Sequence, residues 1–189
     1  MFSDAAVKAG VTFPKGFKAA GVKAGIKKSG NLDVAVIYSE MEAAVAGVFT
    51  QNAVAAAPVY VAKAAVEDGK ARAIVANAGC ANACTGEQGM EDAKRTADIA
   101  AEALGCAAGD VIVASTGVIG VNLPMEKLEK GIKDAAASLS DTRSVDAIAI
   151  GYILKKRHWF HHTFSENVSK LITNMALPCN YAILMIYAS

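Results

Sequence analysis

Histidine is missing from the first 150 residues, and the whole chain of 189 residues holds a single tryptophan. A histidine-based acid–base pair or metal site is therefore excluded from most of the chain. Cysteine is scarce too: Cys80, Cys84, Cys106 and Cys179, with no Cys-x-x-Cys pair. That density does not build a disulfide scaffold and points to a reducing cytosol. No apolar run approaches the ~18 residues of a membrane-spanning helix. The nearest candidate, Tyr181 to Tyr187, is far too short. The first residues, Met1 to Phe17, lack the apolar stretch of a secretory leader, so none is expected. Charge of either sign is not in excess: 19 basic against 18 acidic residues leave +1. Such a chain has no global electrostatic claim on nucleic acid or on an anionic membrane.

What is there is core material. Hydrophobic residues make up 53% and charged residues 20%, which suits one ordered domain and not a disordered chain. The composition changes abruptly near Ile150-Gly151. Residues 1–150 carry 36 alanines and six aromatics; residues 151–189 carry three alanines, six aromatics and all three histidines. The chain divides accordingly into a domain over 1–150 and an anomalous tail over 151–189. Residues 31–138 are expected to form the core and the tail to pack poorly.

The local patterns alternate. Asp33 to Ser39 is apolar and β-branched and predicts a strand; Val45 to Thr50 predicts a second, an antiparallel partner of the first. Pro58 opens a short helix, Val59 to Glu67, ended by Asp68-Gly69. Ala73 to Asn77 and Val111 to Ala114 predict further strands. Between them, Met90, Ala93, Ala97, Ala100, Ala101 and Leu104 follow the 3.6-residue period of a helix, with Gly105 as its stop. Thr85-Gly-Glu-Gln88 fits a capping box at its start. Pro124 starts a last helix with Met125, Leu128, Ile132 and Ala135 or Ala136 on one face. The fold class is α+β or layered α/β, a mixed sheet with packed helices.

Four constellations are candidates for chemistry. Asn77-Ala-Gly-Cys-Ala-Asn-Ala-Cys-Thr-Gly86 is a small-residue loop before a helix. Such a loop binds an anion through backbone amides, or simply packs tightly. No Gly-Lys-Ser/Thr follows, so it is not a P-loop. Cys80 and Cys84 lie at the same helix start, where a thiol is activated or, as the plainer reading has it, buried as a small apolar group. Ser115-Thr-Gly-Val-Ile-Gly120 follows a strand directly and can aim amides or a hydroxyl at developing negative charge, though Thr-Gly is also common in turns. His158, His161 and His162 share a spacing that suits a metal, but the Glu of a His-Glu-x-x-His motif is missing and the group sits in the anomalous tail, so no metal is expected.

Taken in order, Val11-Thr-Phe-Pro-Lys-Gly-Phe17, Gly21-Val22, Gly25-Ile26-Lys27, Ala46-Gly-Val-Phe-Thr50, Asn52, Ala57-Pro58, the 77–86 loop, Ser115 to Gly120 and Leu123-Pro-Met125 resemble the N-terminal part of the ornithine acetyltransferases, or bifunctional glutamate N-acetyltransferases. The resemblance covers residues 11 to about 150. It implies an α/β sandwich, incomplete without a β chain, and a cytoplasmic enzyme of arginine biosynthesis. Acetyl passes from N-acetylornithine to glutamate; some members also take it from acetyl-CoA. The precursor cuts itself before a threonine, which becomes the β-chain N-terminus and the nucleophile, its own amine serving as base. The implied partners are those small molecules and the β chain of a hetero-oligomer; no cofactor or metal is implied. Thr116 and Gly117 match the family's oxyanion hole.

The tail departs from that pattern. Gly151-Tyr-Ile-Leu-Lys-Lys-Arg-His-Trp-Phe160 stands where the family has Met-Thr-Thr-Asp-Thr, and Asn174-Met-Ala-Leu177 puts Leu177 where the threonine belongs. Cys179 to Ile183, back-translated TGC AAC TAT GCT ATT, reads Ala-Thr-Met-Leu one base later, the family's cleavage motif. A chain inactive by itself, with its last part out of frame, is the expectation. A non-catalytic remnant and a small anion-binding α/β module are the competing readings.

Overall fold

The computed structural model describes residues 11–12 and 15–142. Four strands form one sheet in the order β1-β2-β3-β4: β1 (Phe17–Val22), β2 (Val34–Ala44), β3 (Lys70–Cys80) and β4 (Val111–Val118). The first three pair antiparallel, and β3 and β4 pair parallel. Three helices accompany them: α1 (Ala57–Ala65), α2 (Gly86–Leu104) and α3 (Met125–Ala137). The parallel pair needs a crossover, and α2 supplies it. This is the mixed-sheet, layered α+β fold that the alternation of patterns predicts.

Small and β-branched side chains set the packing. Val34, Val36, Val75, Val111 and Val113 form one cluster with Ala97 and Ala100 of α2 and with Leu128, Ile132 and Ala135 of α3. Because successive side chains alternate across a strand, Ile112 turns to the other face. There Ala62 and Ala65 of α1 cover it. The long helix α2 buries the alanine face read from its period, and Gly105 ends it in the left-handed conformation at φ 67°.

Three local expectations are corrected. Val45 to Thr50 is not a strand. The β2–β3 ladder ends at Ala44↔Lys70, and Val45 and Phe49 instead pack against the cluster under α1. Their apolar character serves burial, not pairing. The antiparallel partner of β2 is β1, whose sequence Phe-Lys-Ala-Ala-Gly-Val has little strand character of its own. The core therefore begins at β1, before residue 31. Finally, Thr85 is the N-cap of α2 but forms no capping box. Its hydroxyl donates to Asn82 Oδ1 at 2.8 Å, and Gln88 Nε2 turns along the helix to Asp92 Oδ1 at 3.0 Å.

The boundary at 150–151, His158, His161, His162, Leu177 and Cys179 lie outside the described residues. Among the described residues, no helix is long and apolar enough to cross a membrane.

Candidate functional site

The strand read as Val111 to Ala114 runs on to Val118, so Thr116 and Gly117 sit in the last turn of pairing and not in a loop. They face Ala78 and Gly79 of β3 in parallel register. Both are exposed. Among the described residues β4 is the edge of the sheet, and alternate backbone amides of an edge strand point away from its neighbour. The C-terminal end of a parallel strand is where open α/β sheets place ligands.

At this end the two backbones come unusually close. A Cβ on Gly117, whose φ is 140°, would lie 2.3 Å from Gly79 C and 2.5 Å from Cys80 N. Only glycine fits, both for the torsion and for the space. Beyond it the ladder slips: Cys80 faces both Thr116 and Val118, a β-bulge that re-aims the strand end.

Three segments converge here through backbone hydrogen bonds. Ala81 N–H donates to Val118 O at 2.9 Å, Gly120 N–H to Ala83 O at 2.8 Å and Ala57 N–H to Asn82 O at 3.2 Å. Asn82 is fully buried, in the left-handed region at φ 49°. Its Nδ2 donates to Gly89 O at 2.8 Å while its Oδ1 accepts from Thr85. The Asn82 side chain is thus engaged at both ends and ties the segment to the first turn of α2. The buried Asn82 and the close contacts around Gly89 show that the segment packs tightly against α2. Val118, Ile119 and Val121 next to Thr116 are large and more than half exposed.

The cysteines divide. Cys80 is buried and its Sγ donates to Val121 O at 3.1 Å, as the small-apolar-group reading has it. Cys84 is exposed, with φ 56°, against that reading. Cys106 is half-buried at the far end of α2; burial pushes its thiol up, partly opposed by the Arg72 guanidinium. Among the described residues no group of His, Cys, Asp and Glu is arranged to hold a metal. A concavity of about 470 Å³ beside Cys106, walled by Arg95, Asp98 and Glu102, does not include Thr116 or Gly117.

One residue escaped the sequence reading. Asp33 is fully buried and accepts from three backbone amides: Ala24 at 2.6 Å, Ile26 at 2.6 Å and Lys27 at 2.9 Å. It shapes the Gly25-Ile26-Lys27 turn, which lies against Gly79: a Cβ there would meet Ile26 Cγ2 at 2.9 Å. The available signal was an acidic residue opening an apolar strand, Asp33-Val-Ala-Val-Ile37.

Fold and site together define a layered α/β domain whose sheet edge presents a glycine-bearing, backbone-rich strand end. The chain belongs to the ArgJ family, whose model matches residues 18–176. That match passes the composition break and stops one residue before Leu177. An arginine biosynthesis bifunctional protein ArgJ from Caldanaerobacter subterraneus is 56% identical over 137 residues, covering 72% of this chain and 34% of the relative. Its counterpart in Rhodopirellula baltica is 46% identical over 156 residues, covering 82% and 38%. The chain thus spans a little over a third of the length of these curated relatives. Among solved structures, the ornithine acetyltransferase of Mycobacterium tuberculosis complexed with ornithine superposes with a TM-score of 0.76 at 42% identity, covering 80% of this chain and 81% of that one. The protein ArgJ of Bacillus halodurans gives 0.75 at 35% identity, covering 80% and 78%. The family expected from the motif series is borne out.

Proposed function

We propose that this chain provides the oxyanion-stabilising part of a cytoplasmic acetyltransferase of arginine biosynthesis, moving acetyl from N-acetylornithine to glutamate. The observation that carries the reading is the exposed Thr116–Gly117 pair at the end of β4, braced against the Gly79–Cys80 backbone. Support comes from the name and the bound ornithine of the Mycobacterium tuberculosis relative. The word bifunctional in the other relatives' names fits a second donor, acetyl-CoA.

The chemistry is acyl transfer in two halves. A threonine hydroxyl oxygen attacks the acetyl carbonyl carbon, its proton passing to the threonine's own α-amine. The carbonyl π pair moves onto oxygen, and the Thr116 hydroxyl and the Gly117 backbone amide donate to that charge. Collapse breaks the amide C–N bond, the leaving nitrogen takes the proton, and ornithine departs. The glutamate amine then attacks the acetyl ester, the ester C–O bond breaks, and threonine recovers its hydroxyl. The reading requires no metal or organic cofactor.

The nucleophile is the part this sequence does not supply in frame, since Leu177 holds its position. Leucine neither attacks a carbonyl nor drives self-cleavage, so the 189-residue chain does not turn over by itself. In this reading the threonine belongs to a β chain, and the active unit is a hetero-oligomer. The coverages fit a precursor cut in two: four-fifths of a solved chain, but only a third of a full-length relative. A second reading, a frame-shifted remnant, is favoured by the composition break at Ile150-Gly151. Sequencing the gene separates the two: an intact frame through codon 189 removes the remnant.

The reading is tested by exchanging the matched segment of the Caldanaerobacter relative for this chain's own. The full-length chimera is expected to transfer acetyl from N-acetylornithine to glutamate, and the 189-residue chain to transfer none. A dead chimera that is correctly folded and self-cleaved overturns the reading. Turnover by the 189-residue chain overturns its inactivity.

A further inference from the structure

We propose that Asn77 and Ser115 are positioning residues that clamp the Thr116–Gly120 segment and so fix the direction of the Thr116 and Gly117 backbone; the inference rests on the oxyanion reading of that pair.

The clamp is built where the sheet ladder fails. Asn77 lies in β3 between β2 and β4, opposite Val34 and Ser115, and is 2% exposed. Its side chain ties β4 to the end of its own strand, β3. Oδ1 accepts from Ser115 Oγ at 2.6 Å, and Nδ2 donates to Cys80 O at 2.9 Å. The register breaks between Gly79 and Cys80, so the side-chain amide bridges the residues on either side of the break. Cys80 in turn donates from Sγ to Val121 O at 3.1 Å. Ser115 and Val121 are the residues that flank Thr116–Gly120. Both ends of the segment are therefore tied to β3, one through Asn77 and one through Cys80.

Backbone bonds hold the segment farther on, at Val118 and Gly120, but at the bulge itself the extra residue leaves the ladder incomplete, and the side chains bridge that gap. Nor is the network a loose surface contact: Asn77 is buried and both ends of its amide are engaged, so removing one partner leaves a polar group unsatisfied. The strand end is exposed and lies at the sheet edge, with no strand among the described residues on its outer side.

Two measurements test the clamp. On the 189-residue chain at micromolar concentration, amide exchange by mass spectrometry compares the 115–121 peptide with α3 as an internal reference. Ser115→Ala and Asn77→Ala are expected to speed exchange in the peptide about tenfold and to leave α3 unchanged, while Ser115→Thr restores protection. In the full-length chimera, Ser115→Ala is expected to lower kcat about tenfold at unchanged KM, with Ser115→Thr again restoring it. If Asn77→Ala does not fold, Ser115→Ala carries both tests. Unchanged exchange at 115–121 overturns the clamp. Intact kcat in Ser115→Ala, with kcat lost in Thr116→Ala, overturns the positioning role and leaves the oxyanion reading standing. Intact kcat in Thr116→Ala overturns the oxyanion reading and, with it, this inference.

Discussion

The two halves of β4 obey different rules. Val111, Ile112 and Val113 are buried, apolar and in unbroken register with Ala73 to Val75. Burial on both faces holds them, and any β-branched side chain of similar volume would serve. Ser115, Thr116 and Gly117 bring hydroxyls and a glycine, Val118 is an exposed valine, and the four are paired across a bulge. There the strand is held by a buried amide, a serine hydroxyl and a backbone approach that only glycine allows. A single residue, Ala114, separates a scaffold held by area from a candidate site held by directed polar contacts. The scaffold half should govern stability, and the site half should govern rate.

The comparison can be broken first at its foundation. Asp33→Ala leaves three amides of the 24–27 turn without an acceptor, each costing about 1–3 kcal/mol. A domain of ordinary stability, about 5–15 kcal/mol, loses most of it. Urea unfolding should show the midpoint shifted far below that of the unaltered chain; near-normal stability would remove Asp33 from the framework. In the scaffold half, Ile112→Ala, fully buried between β4 and α1, should cost about 2–5 kcal/mol by the same measurement. In the full-length chimera its kcat per folded molecule should stay unchanged.

In the site half the order reverses. Gly117→Ala puts a methyl 2.3 Å from Gly79 C at φ 140°, a strained position costing about 1–3 kcal/mol. Since the strand end must yield, the chimera's kcat should fall further than its stability does. Equal losses would make Gly117 one more scaffold residue. The smallest effect concerns the thiols. Among the three described cysteines, Cys84 should label fastest with iodoacetamide at pH 8, being exposed, and Cys80 slowest, being buried and hydrogen-bonded. Cys106, half-buried and with its thiol pushed up by burial, should label more slowly than the exposed Cys84, and its own rate should rise with pH. Peptide mapping reads this order; Cys80 labelling as fast as Cys84 would contradict the buried clamp.

The same divide explains what the sequence discloses. Where area decides, the pattern is legible: the alanine face of α2, the Leu128–Ile132–Ala135 face of α3 and the β-branched runs of β2, β3 and β4 all read directly. Where a partner decides, it is not. β1 is a strand because β2 lies beside it, and Val45 to Thr50 is not one because it packs under α1 without a partner strand. Thr85 looks like half of a capping box until Asn82 is seen to take its hydroxyl. Thr116 and Gly117 were found through family likeness; a Thr-Gly pair by itself is too common. Asn77 could not be assigned a role from spacing, because its partner Ser115 is 38 residues away.

The central claim is that Thr116 helps hold the negative oxygen of the transition state. The most direct measurement is steady-state acetyl transfer by the full-length chimera with and without Thr116→Ala. Loss of one such donor should lower kcat about 100- to 1,000-fold, about 2.7–4 kcal/mol, while KM for N-acetylornithine barely moves. An unchanged kcat, or a change confined to KM, would contradict the account.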